Sequence, residues 1–137
     1  MINFVYNENS LIDCMDYVEK FEVNIHGKSK EIEKENKEFN AIFLRLKDLF
    51  ANSRLMPAFG VSIHSQTLNE LKNHKWIKIY FSQEMSKNGL KFSSLLFKLE
   101  EVEGFNLIRE FNNSYDGRCL YLDLNEKTNL LDLINFQ

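Results

Sequence analysis

One proline, one tryptophan, two cysteines and five glycines in 137 residues leave this chain few of the residues that mark a specialised class. Cys14 and Cys119 stand far apart and build neither a CxxC redox pair nor a zinc knuckle, so both read as small buried hydrophobes of a reducing compartment. The longest stretch without a charge, Leu55 to Asn69, contains Pro, Gly, Ser, His and Gln and is too short and too polar to cross a bilayer. The opening Met-Ile-Asn-Phe-Val-Tyr-Asn-Glu has no basic flank and no apolar core ahead of a small-residue cleavage site, which points to a cytoplasmic protein without a membrane role. Neither a G-x-G-x-x-G nor a P-loop sequence is present, and this removes the common nucleotide sites. His26, His64 and His74 stand at no ligand spacing such as HxxxH or HExxH, so no metal and no other cofactor is implied. Internal repeats, low-complexity tracts and linkers are also missing, and residues 1–137 read as a single domain.

What the chain does have is material for a core. Hydrophobic residues make up 44% of it, with twelve Phe and five Tyr to supply large buried areas. Between Lys75 and Leu124, four β-prone segments are separated by Ser86-Lys87-Asn88-Gly89, Glu101-Val102-Glu103-Gly104 and Tyr115-Asp116-Gly117. Asn-Gly and Asp-Gly suit tight hairpins because they tolerate the positive φ such turns need. The expectation is an antiparallel meander of four or more strands over 75–124. In its first strand Ile77, Ile79 and Phe81 share one face, and Trp76, Lys78 and Tyr80 share the other. In the next, Leu90 and Phe92 are even whereas Leu95, Phe97 and Leu99 are odd, a change of phase that implies a bulge near Ser93-Ser94.

Upstream, Ile2 to Tyr6 suits a short first strand. Ser10 is a good N-cap for a helix reaching Lys20, with Leu11, Cys14, Met15 and Val18 on one face and Asp13 and Asp16 near its positive end. Phe21, Val23 and Ile25 then alternate as a strand stopped by Gly27, or equally as the frayed end of that helix. From Ser29 to Asn52 a long helix is expected, with Ile32, Phe39, Ile42, Phe43, Leu46, Leu49 and Phe50 as its stripe and a charged first half projecting from the core. Leu55 to His64 reads as a strand containing Pro57, Ser65 caps a short helix reaching Asn73, and apolar Thr128 to Gln137 must dock somewhere. The whole is an α+β domain in which the meander packs against two main N-terminal helices, near Ser10 to Lys20 and Phe39 to Asn52.

Charge is segregated behind a net value of −3. Lys72 to Lys98 carries six Lys against one Glu, for +5, and Glu100 to Glu126 carries seven acids against two Arg, for −5. Neighbouring strands of opposite sign can pair internally, or can present a bipolar surface that orients a charged partner. Among function classes, a single-stranded nucleic-acid binder would use the Lys and aromatic residues of the 72–98 hairpin, but the pI of about 5.6 and the nearby acids oppose it. A small enzyme would use the polar cluster at 109–123, in which Arg109, Glu110, Asp116, Arg118 and Asp123 are also explained by ion pairing and turn formation.

The remaining class is protein recognition without catalysis. In size and charge the chain resembles proteins that bind and neutralise another protein, such as bacterial immunity proteins, antitoxins and phage-encoded inhibitors, and its Asn, Lys, Ile and Phe content suits an AT-rich bacterial or phage genome. Such a protein meets a basic partner, for example a nuclease toxin, with carboxylates that mimic phosphate. Glu100, Glu101, Glu103, Glu110, Asp116 and Asp123 are the candidate carboxylates here, with Tyr115 and Tyr121 as aromatic anchors.

Overall fold

The structure is a computed structural model that describes residues 10–25, 27–51, 53–62, 75–87, 90–98, 107–111 and 118–124, with positions 25, 53, 54, 56–62, 98 and 118–124 described in backbone only. Among the described residues seven strands form one antiparallel sheet: β1 (Val18–Ile25), β2 (Lys28–Glu33), β3 (Ser53–Ser62), β4 (Trp76–Lys87), β5 (Leu90–Lys98), β6 (Leu107–Glu110) and β7 (Arg118–Leu124). Their order across the sheet is β2-β1-β4-β5-β6-β7-β3. The expected meander is therefore present as β4 to β7, each strand beside its neighbour in sequence. Lys87 pairs with Leu90 across the two positions of the Asn-Gly signal.

The α-helix among the described residues, α1 (Lys37–Ala51), joins β2 at one edge of the sheet to β3 at the other, so it must cross a sheet face. Fifteen residues give it a length of about 22 Å, most of the roughly 29 Å spanned by six inter-strand steps. Two ring contacts mark its course. Phe39 lies 4.9 Å from Phe21 of β1, and Phe50 lies 6.1 Å from Phe97 of β5. Beneath it the core is built from Ile42, Leu46 and Phe50 of the helix against Phe21, Val23, Ile32, Ile77, Ile79, Leu95, Phe97 and Leu107 of the sheet.

Of the two expected N-terminal helices, the one near Phe39 to Asn52 is present as α1, and the one near Ser10 to Lys20 is corrected. Residues 10–20 contain a 3-10 helix, Ile12–Tyr17, after which β1 begins at Val18. Ser10 still does cap work: its hydroxyl accepts from the Ile12 N–H at 3.2 Å and donates to the Phe50 carbonyl at 3.4 Å. Leu11, Cys14, Met15 and Val18 are all buried as their spacing implied, although two element types share them. An extra residue in β1, Glu19, breaks the register with β4 and lets Val18 and Phe21 point to the same side.

The charged segment after Gly27 is not the first half of a helix. Gly27 adopts φ 84° and closes a hairpin in which Ile25 pairs with Lys28, so residues 28–33 run back along β1 as the sheet edge. Ile32 is the only apolar residue between Gly27 and Phe39, and a lone apolar residue sets no helical stripe. It sits opposite Phe21 and is buried, while charges on an edge strand discourage further pairing. The helix starts where Asn36 supplies a cap, its side-chain oxygen accepting from the Glu38 N–H at 2.9 Å. The bulge expected near Ser93-Ser94 lies where β4 and β5 lose register, between the pairs Tyr80–Ser94 and Met85–Phe92. Pro57 falls in β3, an edge strand, where a missing N–H is tolerated. Ile2 to Tyr6, the short helix from Ser65 and the Thr128 to Gln137 segment lie outside the described residues.

Candidate functional site

Strand parity gives the sheet an apolar face under α1 and an opposite face that is mostly polar on β2, β1 and β4 and carries buried Leu96 and Ile108 on β5 and β6. In register, one outer row runs Glu33, Lys20, Tyr80, Ser94, Glu110 and the next runs Glu31, Glu22, Lys78, Leu96, Ile108. Lys78 and Glu110 are two strands apart, yet the Lys78 Nζ lies 3.2 Å from Glu110 Oε2. Ser94 makes this possible. Its small side chain leaves room for the two long ones to meet above β5, and its hydroxyl donates to Glu110 Oε1 at 2.9 Å. Both partners are largely shielded, with side-chain exposures of 9% for Lys78 and 18% for Glu110.

Tyr80 is the hub of this face. Its hydroxyl donates to Glu22 Oε1 at 2.8 Å, and the ammonium groups of Lys20 and Lys78 lie 4.8 and 4.7 Å from its ring centroid. Lys20 also reaches Glu31 Oε1 at 3.2 Å. Burial and then the hydrogen bond to Glu22 push the phenol up to about 12 from 10.0, against the opposing pull of Lys78. The native phenol thus keeps its proton to higher pH than the unfolded one. Its contribution to stability is complete below pH 10 and is lost as pH rises from there to about 12. Tyrosinate absorbance should therefore show one tyrosine titrating late in the native protein, and Glu22→Gln should bring it down. A Tyr80→Phe variant that leaves the late-titrating signal unchanged would assign it elsewhere.

A second ion pair lies on the helix side. Lys87, at the end of β4, has no exposed side-chain area, and its Nζ lies 2.7 and 2.8 Å from the two oxygens of Asp13. Asp13, in the 3-10 helix, is 37% exposed in its side chain, so a surface carboxylate caps a buried ammonium. At the bulge, Lys91 meets Glu84 at 3.5 Å, and the Arg109 guanidinium donates to the Lys91 carbonyl.

Of the residues singled out from sequence, the structure describes Glu110 in full, and it is already held by Lys78 and Ser94. Tyr121 and Asp123 lie in β7, opposite Met56 and Arg54 of β3. Glu100, Glu101, Glu103, Tyr115 and Asp116 lie outside the described residues, as do His26, His64 and His74. The sequence reading gave no partner-binding role to Glu22, Glu31, Glu33 or Asp13, and placed Tyr80 only among the aromatics of the lysine-rich hairpin. Glu31 and Glu33 carried one usable signal, since Lys28-Ser29-Lys30 and Glu31-Ile32-Glu33 alternate with a period of two.

Among the described residues no set of three or more His, Cys, Asp and Glu side chains is arranged to hold a metal ion. Within the same residues no helix is long and apolar enough to cross a membrane. No protein-family model, curated protein or solved structure matches the chain. The functional reading therefore rests on the geometry of the sheet.

Proposed function

We propose that this is a small cytoplasmic protein-binding domain without catalysis of its own, a stoichiometric inhibitor of the immunity or antitoxin kind that neutralises a basic partner such as a nuclease toxin through an acidic surface. One observation carries the reading. Three lysines of β4 and β5 are engaged within the chain, Lys78 by Glu110, Lys87 by Asp13 and Lys91 by Glu84, whereas the outer side of the β1–β2 hairpin carries Glu22, Glu31 and Glu33 against Lys20. The acidic excess supported by this geometry is thus on β1 and β2, beside any that residues 100–123 supply. A nucleic-acid reading loses two of its parts, because Phe92 is buried in the core, where it cannot stack on a base, and Lys87 is buried too.

The test is a pull-down with the tagged chain from its native lysate at low and moderate salt, treated with nuclease and read by mass spectrometry, followed by titration of the recovered partner. The expected result is one protein whose activity is abolished at a 1:1 ratio. Charge-steered docking predicts an association rate that falls by about tenfold or more from low to physiological salt. Recovery of nucleic acid in place of protein, or a partner whose activity survives saturation, would sink the proposal.

A further inference from the structure

The outer side of the β1–β2 hairpin holds an electrostatic arrangement that the fold alone does not favour. Glu22 and Glu31 are directly opposite each other, and Glu33 follows on the same side of β2. Like charges in directly opposed positions are destabilising. Lys28 and Lys30, on the same hairpin, do not offset them. Parity turns Lys28 and Lys30 to the side of buried Ile32, where Lys30 meets Glu38 of α1 at 3.5 Å. Lys78, across from Glu22, is held by Glu110.

Lys20 is the cation that occupies this place. Its ammonium is bounded by the Tyr80 ring at 4.8 Å and by Glu31 at 3.2 Å, and it remains accessible, with side-chain exposures of 30% for Lys20 and 55% for Glu31. The result is a niche for one organic cation, made of an aromatic ring and several carboxylates and filled by a residue of the chain itself. We infer that the niche is the docking point of the partner, and that an arginine side chain on a basic segment of that partner enters it by displacing Lys20. This rests on the protein-binding reading and adds the chemistry of the contact.

Guanidinium fits better than ammonium for a physical reason. It is planar, stacks on an aromatic ring and bridges two carboxylates with its fork of donors, whereas an ammonium acts as a point charge. Here two carboxylates, Glu22 and Glu31, face each other beside Tyr80, and Lys20 makes its ion pair with Glu31. Glu22 already accepts from the Tyr80 hydroxyl, and a guanidinium would bring a donor to each of the two carboxylates.

The test uses the full chain and two capped peptides, hexa-arginine and hexa-lysine, titrated by calorimetry at low salt while NMR follows the Tyr80 ring and the Trp76 indole. Hexa-arginine should bind at least about fivefold more tightly than hexa-lysine and should shift the Tyr80 resonances. The pair Glu31→Gln and Glu33→Gln should weaken it by about tenfold, a loss of roughly 1.4 kcal/mol. Lys20→Gln, which empties the niche of its own charge, should strengthen it by about threefold. Equal affinity for the two peptides, no response to either variant, or shifts centred on the outer face of α1 would each overturn the inference. The two readings can fail separately. A lysate partner still inhibited by the Glu31/Glu33 variant places the contact elsewhere and leaves the inhibitor standing, whereas arginine-selective peptide binding with no inhibited partner keeps the niche and removes the inhibitor.

Discussion

Replacing Phe50 by alanine should destabilise the fold by about 3–5 kcal/mol, the range for truncating a fully buried aromatic residue. Phe50 is 1% exposed, stacks on Phe97 and offers its carbonyl to Ser10, so one position ties α1 to the middle of the sheet and to the N-terminal segment. The loss is comparable with the whole stability of many domains, about 5–15 kcal/mol, so failure of the alanine variant to fold is within the expected result. Phe50→Leu keeps the site filled and should cost about 1–2 kcal/mol, readable as a lowered urea midpoint with an unchanged slope. Phe39→Ala offers the contrast. Phe39 is only partly buried at the other end of the helix, so its loss should be smaller. Equal effects at the two ends would mean that α1 is not anchored chiefly at its C-terminal turn.

Asp13→Ala should be the most damaging change of a charged residue, at about 2–3 kcal/mol, or a fall in Tm of roughly 8 °C. The estimate is below that for a fully buried pair because water already reaches part of the Asp13 side chain, which is 37% exposed. Direction matters more than size. Removing Asp13 takes both carboxylate oxygens away from an ammonium with no exposed area, a poor environment for a charge. Removing the ammonium with Lys87→Met leaves a carboxylate that water can solvate, and methionine fills a similar volume. The order expected in thermal unfolding is therefore wild type, then Lys87→Met, then Asp13→Ala, with the double variant regaining much of the loss. Asp13→Ala at wild-type stability would show that this pair does not hold the 3-10 helix to β4.

These side chains show where sequence reasoning succeeds and why it stops. Local spacing located the burial of Leu11, Cys14, Met15 and Val18, because a 3-10 turn followed by a bulge presents nearly the same positions as a helix would. Turn chemistry at Asn88-Gly89 located the hairpin of β4 and β5, whereas Gly27, read as the end of a strand before a helix, closes a hairpin that the sequence reading did not place. Nothing local decides the state of Lys28 to Glu33. The segment has one apolar residue, and its conformation is set by the meeting of Ile32 with Phe21 and by the cap at Asn36. Read as a helix, its glutamates merely face solvent; paired to β1, Glu31 opposes Glu22 and Glu33 opposes Lys20, so an error of element type hid the niche. Asp13 and Lys87 are 74 residues apart, and no pattern links them. Lys78 and Glu110 belong to the oppositely charged halves of the meander, so an attraction was foreseeable, but its path over Ser94 depends on register.

The order of residues in β2 also governs how two copies of this chain can meet. Two identical edges pair antiparallel about a two-fold axis normal to the sheet, which sets residues of equal parity against each other. In Lys28-Ser29-Lys30-Glu31-Ile32-Glu33, an axis through Ser29 brings Lys28 against Lys30, and one through Lys30 brings that residue against its own copy. An axis through Glu31 or Ile32 does the same with glutamates. The register that would match each lysine with a glutamate has its centre between Lys30 and Glu31, and it would require the two helices to lie on opposite sides of a shared sheet, which identical edges cannot provide. Exchanging Lys30 and Glu31 would leave composition and net charge untouched, yet axes through Ser29 and Ile32 would then join lysine to glutamate. Six residues in their present order thus keep this edge strand of the described sheet from pairing with its own copy.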